Sequence, residues 1–400
     1  MTGKRRRIYD AVLAGHVARY RQMAFVTGPR QVGKTTTCRT LGTAYLNWES
    51  PGDRKVINAG HDALAGRLGL DRIGRGRIVA VFDELHKWGK WKHFLKGFFD
   101  AFEDRARIVV TGSSRLDVYR RGGDSLMGRY FLFRMHPFSV AEIARQSPGR
   151  GEIRPPANIP DAEYRALLEH GGYPEPFIRR NRGFSLRWHR MRMHQLFRDD
   201  LRDLTRIQEL GQVEALAGLL GDRSGSRLVF GNLAAGLSVS IHSVKRWVDA
   251  LAGLHHGFLI RPWHKRVTRS LVKEPKWYLR DWAGVRDPGA RAETFIACHL
   301  LKAVEGWTDL GLGEYGLYYL RDKQQREVDF LVVRDGKPWF MVEAKKGDAD
   351  LNPSLGYFKE MTGATHAFQA AVEAPYVGAD CFARKDPVRV PARTLLSQLF

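Results

Sequence analysis

Residues 28–35 read Gly28, Pro29, Arg30, Gln31, Val32, Gly33, Lys34 and Thr35, with Thr36 following. This spacing of two glycines, a lysine and a threonine suits a loop that wraps a polyphosphate. The glycines free the backbone to turn successive N–H groups toward the anion. Lys34 can reach the β- and γ-phosphates, and the Thr35 hydroxyl can ligate Mg²⁺. Further on, the apolar run 78–82 ends in Asp83 and Glu84. Asp83 is placed to hold Mg²⁺ through water, and Glu84 to orient the attacking water, the division of labour that phosphoryl transfer needs. A third run, 107–111, is followed by Gly112, Ser113 and Ser114. Both serines are candidates for sensing the γ-phosphate, and the spacing does not separate them. A second set of acids lies near the C-terminus. Asp329 opens one strand-like run, and Glu343 and Lys345 close the next, fourteen residues on. Alternation along a strand puts Glu343 and Lys345 on one face. Asp329 and Glu343 could share a second Mg²⁺ or Mn²⁺, with Glu293 as a further ligand and Lys345 steadying a water.

The elements that must carry these residues can be read from periodicity. Short apolar strands at 24–27, 45–48, 78–82 and 107–111 alternate with amphipathic helices, the pattern of a parallel α/β sheet covered on both faces. Residues 146–160 are rich in Pro, Gly and Arg and read as a linker. Residues 161–222 read as helical, two short helices follow at 228–236 and 240–251, and Glu293 falls on a helix over 291–304. The expected division is 1–150 for a nucleotide-binding core, 151–225 for a helical extension, 226–270 for a winged-helix-like segment and 271–400 for a second α/β domain. In the helix over 240–251, Ser240 is a good cap, and Ile241, Val244, Val248 and Leu251 form an apolar stripe. His242, Ser243, Lys245, Arg246 and Asp249 then face outward, as on the second helix of a helix-turn-helix. Between Arg261 and Arg280, basic residues are interleaved with Trp263, Trp277 and Tyr278, a strip suited to phosphate contact with stacking.

Composition narrows the partners. A charged fraction of 27% and a hydrophobic fraction of 44% are ordinary for a globular chain, but the net charge of +22 is not. Such a surface attracts polyanions, so nucleic acid is the expected partner, DNA before RNA, with a protein partner or self-association as the other reading. The three cysteines, Cys38, Cys298 and Cys381, are far apart, which argues against a disulfide frame or a zinc site. No apolar run reaches the length of a membrane span and the basic start lacks a signal core, so no membrane partner and a cytoplasmic location are expected.

The assembled motifs resemble a prokaryotic family of AAA-type ATP-binding proteins with a C-terminal domain of unknown function. The resemblance rests on the loop at 27–35, Phe82-Asp83-Glu84-Leu85-His86-Lys87, 111–114, Leu126-Met127-Gly128-Arg129, His136-Pro137-Phe138-Ser139 with Glu142, and Gly171-Gly172-Tyr173-Pro174-Glu175. It covers the first 180 residues most closely. It implies an ASCE-type P-loop ATPase core, a helical extension, a winged-helix segment and a restriction-endonuclease-like C-terminal fold, and it singles out Arg129 as a candidate arginine finger. The D-x(n)-E-x-K arrangement of Asp329, Glu343 and Lys345 is similar to the PD-(D/E)XK nuclease signature. His86 makes Asp83–His86 look like a helicase box, but a single P-loop and the lack of a second motor domain argue against a two-domain helicase. The expected function is an ATPase whose nucleotide state controls a DNA-binding half, with DNA cleavage left open. The alternative is a nucleotide-switched module that relays to a protein partner without cleavage.

Overall fold

The computed structural model describes residues 5–72, 77–112, 126–201, 207, 209–264 and 274–400, without the side chains of residues 199 and 200. The chain divides into two units, Gly3–His136 with Gln146–Pro148, and Pro137–Arg145 with Gly149–Phe400.

In the first unit the order is α1 (Ile8–Arg19), β1 (Met23–Thr27), α2 (Lys34–Leu41), β2 (Ala44–Asn47), α3 (Pro51–Asn58), α4 (His61–Leu68), β3 (Ile78–Asp83), α5 (Trp91–Phe102), β4 (Ala106–Thr111) and β5 (Tyr130–Arg134). The strands pair in parallel in the order β2-β3-β4-β1-β5. Every residue of β1 and β4 is buried, as strands with neighbours on both edges and helices on both faces require. The four strands expected from the sequence are present, each with at least one boundary moved by one residue. Helix α5 buries Trp91, Phe94, Leu95, Phe98 and Phe99, a stripe at helical spacing that packs on Phe25 and Phe82 of the sheet. Each such ring contributes roughly 1.5–3 kcal/mol by leaving water. Parallel pairing sets Asp83 beside Asn47 on one side and Thr111 on the other, so the C-terminal ends of β2, β3 and β4 form one edge. Ligands of parallel sheets bind at that edge.

The second unit opens with α6 (Val140–Ala144), α7 (Asp161–His170), α8 (Pro174–Arg179), α9 (Arg182–Gln195), α10 (Leu210–Asp222), α11 (Phe230–Leu237) and α12 (Ile241–Gly253). There follow β6 (Gly257–Pro262), β7 (Lys276–Leu279), α13 (Pro288–Asp309), β8 (Tyr315–Arg321), β9 (Glu327–Arg334), β10 (Lys337–Lys345), α14 (Pro353–Thr362), β11 (His366–Ala371), β12 (Val388–Pro391) and α15 (Ala392–Ser397). Seven strands form a mixed sheet in the order β12-β11-β10-β9-β8-β6-β7. The family-like stretch after His136 belongs to this unit. Ser139 caps α6, and buried Glu142 pairs with equally buried Lys302 of α13.

Three expectations change on contact with the structure. The stretch 146–160 has neither helix nor strand, but its later part is anchored: Arg154 is buried and donates to the Leu399 carbonyl from Nε at 2.9 Å. Ile241 is 49% exposed, because the buried stripe of α12 runs through Val244, Trp247, Val248 and Leu251 instead. Trp277 and Tyr278 are fully buried on β7, all four residues of which are buried under α10 and α13. They are core residues, so the strip offers no stacking platform at these two rings, while Trp263 packs partly buried against a core cluster. Residues 265–273 lie outside the described residues.

Candidate active site

The loop after β1 is shaped by backbone that only particular residues adopt. Gly28 has φ +143°, and a Cβ there would stand 2.2 Å from the Met135 carbonyl oxygen, so any side chain would clash with fixed backbone. Gln31 and Gly33 also have positive φ, and Gly33 directly precedes α2. Buried Lys34 donates to the carbonyls of Gly28 at 2.9 Å and Pro29 at 2.8 Å, so its ammonium lies inside the loop. Burial pushes this lysine down to about 8, against the pull of Glu84 and Asp83. Arg7, ahead of α1, braces the loop from behind. It is buried and donates to the carbonyls of Val32 and, at 2.6 Å, His136.

Across the sheet edge, Asp83 accepts from the Thr35 hydroxyl at 2.9 Å and from the Tyr45 hydroxyl at 2.7 Å. Both bonds go to Oδ2. Oδ1 is buried and has no hydrogen-bond partner. Burial raises the Asp83 carboxyl above its ordinary value even though Tyr45 and Thr35 work to lower it. Glu84 follows in the left-handed region at φ +56°, with its N–H bonded to Thr111. Its carboxylate is 3.2 Å from Lys87 and 3.7 Å from His86. Lys87 also pairs with Glu49; burial alone would lower its pKa, but Glu49 and Glu84 hold it above the usual value. Beside this turn, Trp48 and Trp88 stack with centroids 5.0 Å apart.

The structure thus brings Lys34, Thr35, Asp83 and Glu84 to one edge. Ser113 and Ser114 lie outside the described residues, though β4, which leads to them, runs between β1 and β3. Arg129 goes elsewhere: its guanidinium grips Asp100 of α5 with two bonds of 2.7 and 3.0 Å. Arg7 and Tyr45 are the residues that spacing missed. Arg7 hides in a run of basic residues, and Tyr45 looks like one more apolar position of a strand.

The C-terminal carboxylates are arranged differently. Lys276, on β7, points its ammonium among Glu293 at 3.1 Å, Asp329 at 3.1 Å and Glu327 at 2.7 Å. Burial opposes its charge, but Tyr278, Asp329, Glu293 and Glu327 hold it well above its ordinary pKa. Glu293 also accepts from the Tyr278 hydroxyl at 2.7 Å, and Asp329 from the Ala344 N–H at 3.0 Å. Glu343 accepts from Lys345 and Asn352, each at 2.9 Å. Burial, and then Asp329, raise Glu293 to about 7. Among the described residues no three His, Cys, Asp or Glu side chains converge as a metal-ligand set. The expected set of Glu293, Asp329 and Glu343 is not gathered into one, because a lysine stands between the first two and the third is turned to Lys345 and Asn352.

Residues 20–144 match the family model of an AAA domain, residues 161–285 that of a domain of unknown function (DUF8612), and residues 288–381 that of another (DUF4143). The first unit therefore carries an AAA-type, P-loop nucleotide-binding domain. The uncharacterized protein Rv2008c of Mycobacterium tuberculosis is 25% identical over 337 residues, covering 79% of this chain and 69% of that protein. The uncharacterized protein Mb2031c of Mycobacterium bovis matches with the same values. Among solved structures, the Aeropyrum pernix ORC1 protein in complex with DNA is 14% identical with a TM-score of 0.34, covering 72% of this chain and 91% of that one. Cdc6p of Pyrobaculum aerophilum is 13% identical with a TM-score of 0.28, covering 65% and 89%. Likenesses this distant equate no individual residues. No helix among the described residues is long and apolar enough to cross a membrane.

Proposed function

We propose that this protein is a Mg²⁺-dependent ATPase whose nucleotide state controls a nucleic-acid-binding second unit. The observation that carries the ATPase reading is the pair Thr35–Asp83. One carboxylate oxygen is fixed by two hydroxyl donors, while the other is buried with no partner. A buried acceptor left open beside a phosphate-binding loop is costly unless something binds it. Thr35 and Asp83 would hold Mg²⁺, which supplies neutralisation of phosphate charge. They fit this role, since Mg²⁺ is commonly held by one or two protein oxygens, with phosphate and water completing the shell. Gly28 and Gly33 let the loop backbone approach the phosphates. Lys34 exchanges its bonds with Gly28 and Pro29 for bonds to the β- and γ-phosphates. Glu84 orients the attacking water, with Lys87 restraining its carboxylate. The test is ATP turnover and binding in wild type and Lys34→Ala, Asp83→Asn and Glu84→Gln variants. Loss of turnover in all three, with ATP affinity kept in Glu84→Gln, supports the assignment; unchanged turnover in Glu84→Gln removes Glu84 from it.

For the second unit, the support is the charge of +22 and the succession of α10, the bridge of Arg227 to Lys276, α11, α12 and the β6–β7 pair, as in a winged helix. The exposed residues of α12 include His242, Lys245 and Arg246, a face suited to a DNA groove. Loss of duplex-DNA binding in a Lys245→Glu, Arg246→Glu variant, read by fluorescence anisotropy over a salt series, is the expected result. Undiminished binding would move the site elsewhere, and no binding by wild type would favour a protein partner. Cleavage would fall to Asp329, Glu343 and Lys345. The position of Lys276 favours the second reading on this point, a nucleotide-switched binding module without nuclease activity.

A further inference from the structure

The second unit contains a cation of its own where its acids converge. Lys276 has three N–H donors and no acceptor, and three carboxylates surround it: Glu293 from α13, and Glu327 and Asp329 from β9. The lysine is 3% exposed, and its backbone is fixed on both sides, paired with Ile260 of β6 and bridged to Arg227. Part of the remaining capacity of these acids is also used by the chain, with both bonds to Glu293 falling on Oε1. Glu327 pairs with Arg321, Glu293 accepts from Tyr278, and Asp329 accepts from the Ala344 N–H. Glu343, the other acid of the nuclease-like pattern, is engaged by Lys345 and Asn352. Four carboxylates thus face three cationic side chains, Lys276, Arg321 and Lys345.

A divalent ion would need several of the same oxygens at roughly 2.0–2.6 Å. Bound to Asp329 and Glu293, it would sit within about 4 Å of the ammonium, where two positive charges in a buried place repel strongly. The two cations compete for one position. We propose that the Lys276 ammonium is the resident cation of this cluster and closes it to a divalent metal, so that the C-terminal domain keeps a nuclease-like arrangement of acids without metal-dependent cleavage. Lys276 serves as a structural counter-ion. Its removal converts the cluster into a metal site, because the same oxygens then lack a cation.

This inference deepens the non-cleaving reading and rests on the second unit alone, so the test is run without nucleotide and leaves the ATP site out of play. Mn²⁺ binding is counted by electron paramagnetic resonance in the full chain, for wild type, Lys276→Met, and Lys276→Met with Asp329→Asn. The expected result is no Asp329-dependent Mn²⁺ in wild type, and one ion in Lys276→Met that is lost in the double variant. Asp329-dependent Mn²⁺ in wild type would overturn the proposal, as would a folded Lys276→Met protein that gains none. If Lys276→Met does not fold, Lys276→Gln takes its place, and the wild-type titration against Asp329→Asn alone still decides whether the cluster is open.

Discussion

Both units bring acids together at a strand, yet they treat them in opposite ways. In the first, Asp83 is held by two hydroxyls on one oxygen and left open on the other. In the second, Glu293, Glu327 and Asp329 surround a lysine supplied by the edge strand β7. Hydroxyl donors orient a carboxylate without neutralising it, so the site still calls for a cation from outside. An ammonium does both. A strand of carboxylates therefore becomes a candidate metal site only when the chain withholds its own cation, and motif spacing does not report that.

The sharpest way to break this contrast is to disable one acid in each unit. Glu84→Gln should lower ATP turnover by roughly 10²–10⁴-fold while leaving ATP affinity within a few-fold of wild type, whereas Glu343→Gln should leave turnover unchanged. A steady-state assay with a separate binding measurement decides it, and equal effects would dissolve the difference between the units.

Next in size is the lysine at the centre of the second cluster. Lys276→Met should cost about 3–5 kcal/mol in urea unfolding, because it strands buried carboxylates. Lys345→Met should cost less, about 1–2 kcal/mol, since that side chain is 35% exposed and Glu343 keeps its bond from Asn352. Similar losses would mean that the cluster does not depend on Lys276 as its counter-ion.

Lys34 sharpens the comparison from the other side. Its charge is buried, and the attraction of Glu84 and Asp83 does not offset the loss of water, so it is a liability until a phosphate arrives. Because its folded pKa lies near 8, below the ordinary 10.5, the buried charge destabilises the nucleotide-free protein below about pH 8. That cost is relieved as pH rises from about 8 toward 10.5. Lys34→Met should accordingly lose nucleotide binding yet gain on the order of 1–2 kcal/mol at neutral pH, and the gain should shrink by pH 10. Thermal unfolding without nucleotide at the two pH values checks both signs.

The smallest effect is expected at Arg129. It is spent on Asp100 near the surface, so Arg129→Ala should change stability by no more than about 1 kcal/mol and turnover by less than a few-fold. A large loss of turnover that depends on protein concentration would instead restore the arginine-finger role, acting between copies.

How far the sequence could be read follows from what each signal encodes. Residues 28–35 and 78–84 are local patterns, strand, turn and chemistry in one stretch, and the parallel sheet with its order of strands agrees with them. Tyr45 is not local. It reaches Asp83 only because β2 pairs with β3, and no spacing between residues 45 and 83 announces that pairing. Arg7 is also remote from Val32 in sequence. Lys276 was hidden by its company, since a lysine beside Trp277 and Tyr278 in an Arg-rich stretch reads as a solvent-facing strip. Burial of all of β7 reverses that reading, turning the aromatics into core and the lysine into a counter-ion. Periodicity over four residues cannot distinguish a strand covered on both faces from an exposed one.

The most direct test of the contrast is to count Mn²⁺ on the wild-type chain with and without ATP, beside Asp83→Asn and Asp329→Asn variants. One ion is expected that requires ATP, disappears in Asp83→Asn and is untouched in Asp329→Asn. An ion bound without nucleotide and lost in Asp329→Asn, or an ATP-dependent ion that survives Asp83→Asn unchanged, would contradict the contrast.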